Sequence, residues 1–182
     1  MSSGIPRLWA PWRGEWIQEQ KNIAPEDKGL CPFCTLPLLG ATRENLILFT
    51  DDDIAVIMNK FPYNPGHLMV IPRAHVSYPH ELEPRIWNKV SQAIPLVMKC
   101  VEASMSPQGF NLGMNLGQAG GAGIPGHIHW HILPRWVGDT NFMPLIAETK
   151  AISAHNQSVY ERLSPAFEGF AEKLYEAMIK ST

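Results

Sequence analysis

Three histidines alternate with apolar residues in the run His127-Ile128-His129-Trp130-His131, the densest concentration of reactive side chains in the chain. On an extended strand, residues two apart point to the same face. The imidazoles therefore form one row, with Ile128, Trp130 and Ile132 on the opposite, buried face. Neighbours in such a row stand about 6.6–7 Å apart, close enough to grip two sides of one polar, anionic or metallic group. The row fits three roles: a catalytic metal triad, a nucleophile with acid/base neighbours, or a solvated polar face. Three of the seven histidines fall within five residues, which makes chance clustering a weak account. A neutral imidazole near its usual pKa can act as a nucleophile without prior deprotonation by a strong base.

Other reactive residues lie upstream. Gly117-Gln-Ala-Gly-Gly-Ala-Gly-Ile-Pro-Gly126 holds five glycines in ten residues, so its backbone can approach an anion closely. It is not a P-loop, because no Gly-Lys-Ser/Thr follows and a strand rather than a helix comes next. Cys31-Pro-Phe-Cys34 can offer two thiolates from one turn, for a structural metal or for redox chemistry. Asn59 closes an apolar run before a proline-containing turn, which its amide can cap. His67 follows Pro65-Gly66 at a strand start and by itself reads as structural. Cys100 falls on a helical stretch, as packing.

The elements that position these residues follow from periodicity. Asn45–Phe49 and Ile54–Met58 are short β-rich runs around the Thr50–Asp53 turn and read as a hairpin. His67–Ile71 is a further strand, closed by Pro72. From Pro84, apolar residues at Trp87, Val90, Ile94, Val97 and Val101 predict a one-faced helix, bent locally at Pro95. Phe110–Asn115 and His127–Leu133 return to strand, and a strand-like stretch runs from Pro144 to about Ile152. Ser164-Pro165 supplies an N-cap and a first-turn proline, with Phe167, Phe170, Leu174 and Met178 along one face of the helix that follows. The expected class is α+β, an antiparallel sheet with packed helices.

Composition sets outer bounds. With 182 residues, of which 45% are hydrophobic, the chain can bury a full core. The expected organisation is an N-terminal aromatic arm over 1–29, bearing Trp9, Trp12, Trp16 and a short helix near Glu15–Lys28, a domain over 30–150 and a helical extension over 151–182. A net charge of −2 gives no broad field for nucleic acid, so any anion must be handled locally. No apolar run is long enough for a membrane span, and no secretory pattern opens the chain. Three cysteines form no closed disulfide set, so the expected location is the cytoplasm.

From His127 to Leu133 the sequence resembles the signature of the histidine triad family of nucleotide hydrolases and transferases. Asn59–His75 resembles that family's first core hairpin and Phe110–Gly117 its next strand. The Gly-Ala-Gly-Ile-Pro-Gly lead and the Pro-Arg-Trp-Val-Gly-Asp-Thr-Asn-Phe-Met-Pro tail are most similar to the branch of bacterial diadenosine polyphosphate phosphorylases. The resemblance implies about five antiparallel strands, a long packed helix and a C-terminal helix.

It also implies roles. His129 is the covalent nucleophile, His131 touches the α-phosphate or leaving oxygen, and His127 completes the catalytic row. His67 supports the triad from the neighbouring strand. Asn59 meets ribose hydroxyls, and the base enters an apolar slot at Ile57 and Phe49. Asn115, Gln118, Gly123 and Ile124 join His129 and His131 around the nucleotide. Relatives often place Gln-Ser or Gln-Thr where Gly123-Ile124 stand here, so backbone amides must substitute. Cys31, Cys34, His75 and His127 are expected to close a structural zinc site, with His80 in reserve. The activity implied is cleavage of an adenine dinucleoside polyphosphate with inorganic phosphate, giving ATP and ADP from diadenosine tetraphosphate. Alternatives are hydrolysis, phosphoramidate cleavage, a zinc hydrolase using the three histidines as ligands, or a non-catalytic nucleotide-binding module. The family precedent is a homodimer, which the arm and the C-terminal helix could enlarge to a tetramer.

Overall fold

The structure is a computed structural model describing residues 31–140 and 154–180. The tryptophan arm, the helix expected near Glu15–Lys28 and the strand expected after Pro144 lie outside the described residues. A single turn, α1 (Pro32–Thr35), precedes the hairpin β1 (Ile47–Thr50) and β2 (Ile54–Met58). Then come β3 (Leu68–Pro72), the long helix α2 (Pro84–Met105), β4 (Gly109–Gly113), β5 (Trp130–Arg135), α3 (Asn156–Leu163) and α4 (Phe170–Lys180). The five strands form one antiparallel sheet in the order β1-β2-β3-β5-β4. This is the expected α+β architecture.

Side-chain alternation divides the core into two layers. Val56, Met58, Leu68, Val70, Ile128, Trp130 and Ile132 face the helices, where Val90, Ala93, Val97, Leu163, Phe170 and Leu174 meet them. The other face carries Ile47, Ala55, Ile57, Met69 and Ile71, covered by Cys31 and Phe33. In the β3–β5 register Met69 pairs with His131, between the Leu68–Ile132 and Val70–Trp130 pairs. The histidine row therefore lies on the face away from the helices.

Three expectations shift. Helix α2 continues as helix through the exposed Pro95, where a local bend is expected. Its buried stripe is Ile86, Val90, Ala93, Val97, Cys100, Val101 and Met105, while Trp87 moves to the rim, 40% exposed, meeting Trp130 edge to face with ring centroids 5.6 Å apart. The C-terminal helix is present as α4 but starts later than expected and is preceded by the separate helix α3; Ser164-Pro165 opens a 3₁₀ turn between them instead of capping a helix start. The third shift is in the hairpin. A β-bulge interrupts the β1 register between Ile47 and Phe49, and this extra residue changes which face the following side chains take. Ile47 lies with Ile57, whereas Phe49 packs on the helix side, its ring 4.9 Å from Phe170.

Among the described residues, no helix is long and apolar enough to cross a membrane.

Candidate active site and metal cluster

The assigned strand β5 starts at Trp130, but the chain before it is already tied down. Ile128 N–H donates to Val76 O at 2.7 Å, and His127 N–H to Ile124 O at 3.3 Å. All three triad histidines are buried, at 0%, 5% and 8% exposure for His127, His129 and His131. A solvated polar face is thereby excluded.

Each imidazole has a different partner. His127 Nε2 lies 2.8 Å from the Pro72 carbonyl oxygen. A carbonyl only accepts, so Nε2 carries the proton and Nδ1 keeps the lone pair. That Nδ1 points at sulfur, 3.4 Å from both Cys31 Sγ and Cys34 Sγ. Cys34 Sγ also lies 3.2 Å from His75 Nδ1. The four ligand atoms of Cys31, Cys34, His75 and His127 lie within 4.8 Å of one another. A tetrahedral zinc with ordinary bond lengths places its sulfur and nitrogen ligands about 3.5 Å apart, close to the spacings here. The donor set therefore fits zinc, and four protein ligands leave no open position. Burial pushes the His127 pKa down to about 4, which keeps the ring in the neutral form a metal needs. His80 is not in the cluster; it stacks on Tyr78, with centroids 5.4 Å apart.

His129 Nδ1 lies 2.9 Å from the backbone oxygen of His127. The same reasoning protonates Nδ1 and leaves the lone pair on Nε2, the nitrogen free to act as a nucleophile. Burial also lowers the His129 pKa, favouring the neutral ring. Phe33, between the two cysteines, packs 5.0 Å from the His129 ring and 5.6 Å from that of His127.

His131 is fixed from β3. His67 precedes Leu68, the partner of Ile132, so it sits diagonally across from His131, a separation long side chains can bridge. His67 Nε2 and His131 Nδ1 are 2.8 Å apart. The direction of this bond follows from the far side of His67, whose Nδ1 accepts Tyr63 N–H at 3.2 Å and the Asn59 amide at 3.3 Å. Nδ1 is thus an acceptor, Nε2–H donates to His131 Nδ1, and His131 carries its own proton on Nε2. The His129 and His131 rings meet edge to face at 4.8 Å. The outcome is a lone pair on one ring beside an N–H on the next. Among the described residues, the ligand atoms that converge on one point are those of the Cys₂His₂ group, whereas the three triad rings turn their Nδ1 atoms to three different partners. This argues against a zinc held by the triad.

The remaining expected residues divide. Asn59 caps the turn after β2 through Phe61 N–H, at 3.0 Å, while its amide supports His67. Ile57 lies on the histidine side, where Ile124 packs against the same apolar group; Phe49 does not join them. Asn115 falls two residues past β4, not on it, and its amide reaches Gly121 O at 3.5 Å. Gln118 is exposed and its carbonyl accepts Gly121 N–H. At Gly120 any Cβ would collide with the Leu116 carbonyl, so the tight loop requires glycine there. Tyr63, Phe33 and the Pro72 carbonyl were missed by sequence reasoning; Phe33, lodged between two cysteines, was the one with a visible signal.

The HIT domain family matches residues 41–137. Over 154 residues the chain is 33% identical to a protein of Mycobacterium tuberculosis (strain ATCC 25618 / H37Rv) named AP-4-A phosphorylase, covering 81% of this chain and 77% of that one. Over 85 residues it is 32% identical to the asymmetrical bis(5'-nucleosyl)-tetraphosphatase of Schizosaccharomyces pombe, covering 47% and 46%. Among solved structures, a Zn-bound histidine triad family protein from Mycobacterium smegmatis superposes with a TM-score of 0.61 at 20% identity, covering 80% of this chain and 98% of that one. A hypothetical histidine triad nucleotide-binding protein from Sulfolobus tokodaii gives 0.62 at 23% identity, covering 79% and 95%.

Proposed function

The chain belongs to the HIT family, and on that premise we propose that it transfers a nucleotidyl group through a covalent adduct on His129, cleaving diadenosine tetraphosphate with inorganic phosphate to ATP and ADP. The observation that carries this reading is the pair of fixed tautomers. His129 presents an Nε2 lone pair because the His127 carbonyl holds its Nδ1 proton. Beside it, His131 presents an N–H because His67 occupies its Nδ1.

In the first step His129 Nε2 attacks the α-phosphorus, a P–N bond forms, the bond to the bridging oxygen breaks, and ATP departs. His131 Nε2–H lies beside this centre to hold the phosphoryl or leaving oxygen. In the second step an oxygen of inorganic phosphate attacks the adduct, the P–N bond breaks, and ADP leaves with His129 restored. Two easier displacements replace one difficult one. The base is received on the histidine face, where Ile57 and Ile124 supply apolar surface and Asn59 is the ribose contact. The polyphosphate runs along Asn115, Gln118 and the glycine loop through Gly123. Zinc, when bound by Cys31, Cys34, His75 and His127, supplies a structural tie between α1 and the start of the triad.

Phosphate is favoured over water as acceptor because the similarity to the mycobacterial phosphorylase extends over most of both chains. The test is turnover of diadenosine tetraphosphate with labelled phosphate. Label in ADP is the expected result. ATP plus unlabelled AMP would replace phosphorolysis by hydrolysis, and no trapped adduct on His129 would overturn the covalent route itself.

A further inference from the structure

We infer that Asn64 and Asp139 form a clamp that positions the His67–His131 pair from outside the catalytic row; this rests on the proposed role of His131. Asn64 lies in the turn between β2 and β3 and is 1% exposed. Its backbone oxygen accepts His67 N–H at 3.1 Å. Its side-chain amide reaches across to β5, donating to Pro134 O at 3.0 Å and to Asp139 Oδ2 at 2.8 Å.

This reach replaces a bond that the sheet does not make. The β3–β5 pairing ends at Leu68–Ile132, so the position facing Pro134 falls to Gly66. There the chain turns with φ +76, and an added Cβ would stand 2.8 Å from Met105 Sδ and 3.2 Å from Pro134 Cγ. The turn is pressed against both, and the Asn64 amide makes the cross-strand bond from outside the ladder. Asp139 keeps that amide in place. Its carboxylate also takes Arg135 Nε at 2.6 Å, Arg135 Nη2 at 2.8 Å, Trp136 N–H at 3.1 Å and the Thr140 hydroxyl at 3.1 Å. Arg135 Nη1 continues to Asn111 Oδ1 on β4 at 2.5 Å. Such charge-assisted bonds are short and directional.

The clamp bears on chemistry because of what flanks Asn64. The residue before it, Tyr63, gives its N–H to His67 Nδ1. Three residues on is His67, whose Nε2 meets His131 at 2.8 Å. A slip of the turn by about 0.8 Å stretches that contact to the length at which it ceases to be a hydrogen bond. His131 Nδ1 then loses the donor that keeps its own proton on Nε2. Asn64 and Asp139 touch no reacting atom; they act through the His67–His131 pair.

The test uses the full chain with Asn64→Ala and, separately, the near-isosteric Asp139→Asn. Imidazole nitrogen NMR without substrate reads the His131 tautomer, and single-turnover kinetics with diadenosine tetraphosphate read the first step. In both variants His131 should divide between two tautomers, and the rate should fall about 10–100-fold, as for other groups that orient a reacting side chain. Nucleotide affinity and zinc content should stay within about twofold of wild type. A folded variant with the wild-type tautomer overturns the clamp, as does a changed tautomer with a wild-type rate. If Asn64→Ala does not fold, Asp139→Asn decides by the same readings. Should the wild type form no adduct, the proposed function fails, while the substrate-free spectra still decide whether the clamp sets the tautomer.

Discussion

His129 Nδ1 and the backbone oxygen of His127 are joined by a 2.9 Å hydrogen bond, two residues apart in the segment that leads into β5. The residue that helps close the metal cluster through its ring thus also orients the proposed nucleophile through its main chain. Position 127 is where the structural and the reactive halves of the site meet.

Removing the nucleophile and removing its neighbour's support should have unequal effects. His129→Ala should reduce turnover by about 10³-fold or more, since no other group supplies the attacking lone pair. Nucleotide affinity should change little. His67→Ala should cost about 10–100-fold, because it orients His131 without touching phosphorus. Rapid-quench kinetics with labelled nucleotide should show an adduct on the His67 variant and none on the His129 variant. Equal losses would mean that the two roles are misassigned.

Cys31→Ser and Cys34→Ser should lower zinc content and thermal stability together. Structural zinc contributes about 10–16 kcal/mol in small peptides that have no other core. Here the sheet has two packed faces, so a smaller loss is expected. Each kcal/mol lowers Tm by about 2–4 °C in a chain of this size, and a fall of roughly 5–10 °C is the expected outcome. Elemental analysis paired with calorimetry checks it; full zinc retention in the double variant would refute the four-ligand site.

Asp53 provides a test of stability against pH. It sits at the hairpin turn and receives Arg85 through two bonds, at 2.6 and 2.8 Å, and Lys89 at 2.7 Å. The Arg85 hydrogen bond, aided by Lys89 and opposed by desolvation, holds its pKa near 2. The unfolded value is about 3.9, so the folded state binds this proton more weakly. The resulting stabilisation is present above the unfolded pKa and is lost as pH falls toward 2. Asp53→Asn should be less stable than wild type by about 1 kcal/mol at neutral pH. Urea titrations should show the difference shrinking steadily below about pH 4. A constant gap down to pH 2 would count against the ion cluster.

Assembly is open to sedimentation. Strand β4 is an edge of the sheet, with Leu112 53% exposed, and Trp87 lies part-exposed on α2. Unpaired edges and exposed apolar side chains invite a second chain. A two-fold dimer is the expected species across a concentration series, and a persistent monomer with full activity would exclude it. Leu112→Lys should weaken the association.

Much of this site can be read from side-chain types, and what cannot is carried mainly by the backbone. The two-residue alternation at His127–His131 reveals the shared face, and the Cys-Pro-Phe-Cys turn reveals half of the metal group. By contrast, three of the groups that set tautomers are the Pro72 and His127 carbonyls and the Tyr63 backbone N–H, main-chain groups that no side-chain type announces. The resemblance puts Phe49 in one slot with Ile57, but the β1 register shifts between Ile47 and Phe49 and sends Phe49 to the helix side. Helix α3 went unseen because, of its eight residues, only Val159 and Leu163 are buried. Two residues define no period. The Asn64–Asp139 bond joins positions 75 apart, with nothing local to either to announce the other.

The main-chain acceptor at His127 has a consequence for heredity. Codon changes can replace the imidazole at position 127, but every replacement brings the same carbonyl with it. A lineage could therefore abandon the cysteines and this histidine together, dispensing with the metal, and still hand its nucleophile an oriented proton acceptor. Variation at 127 would then record how the fold is held together, and constancy at 129 would record what it does.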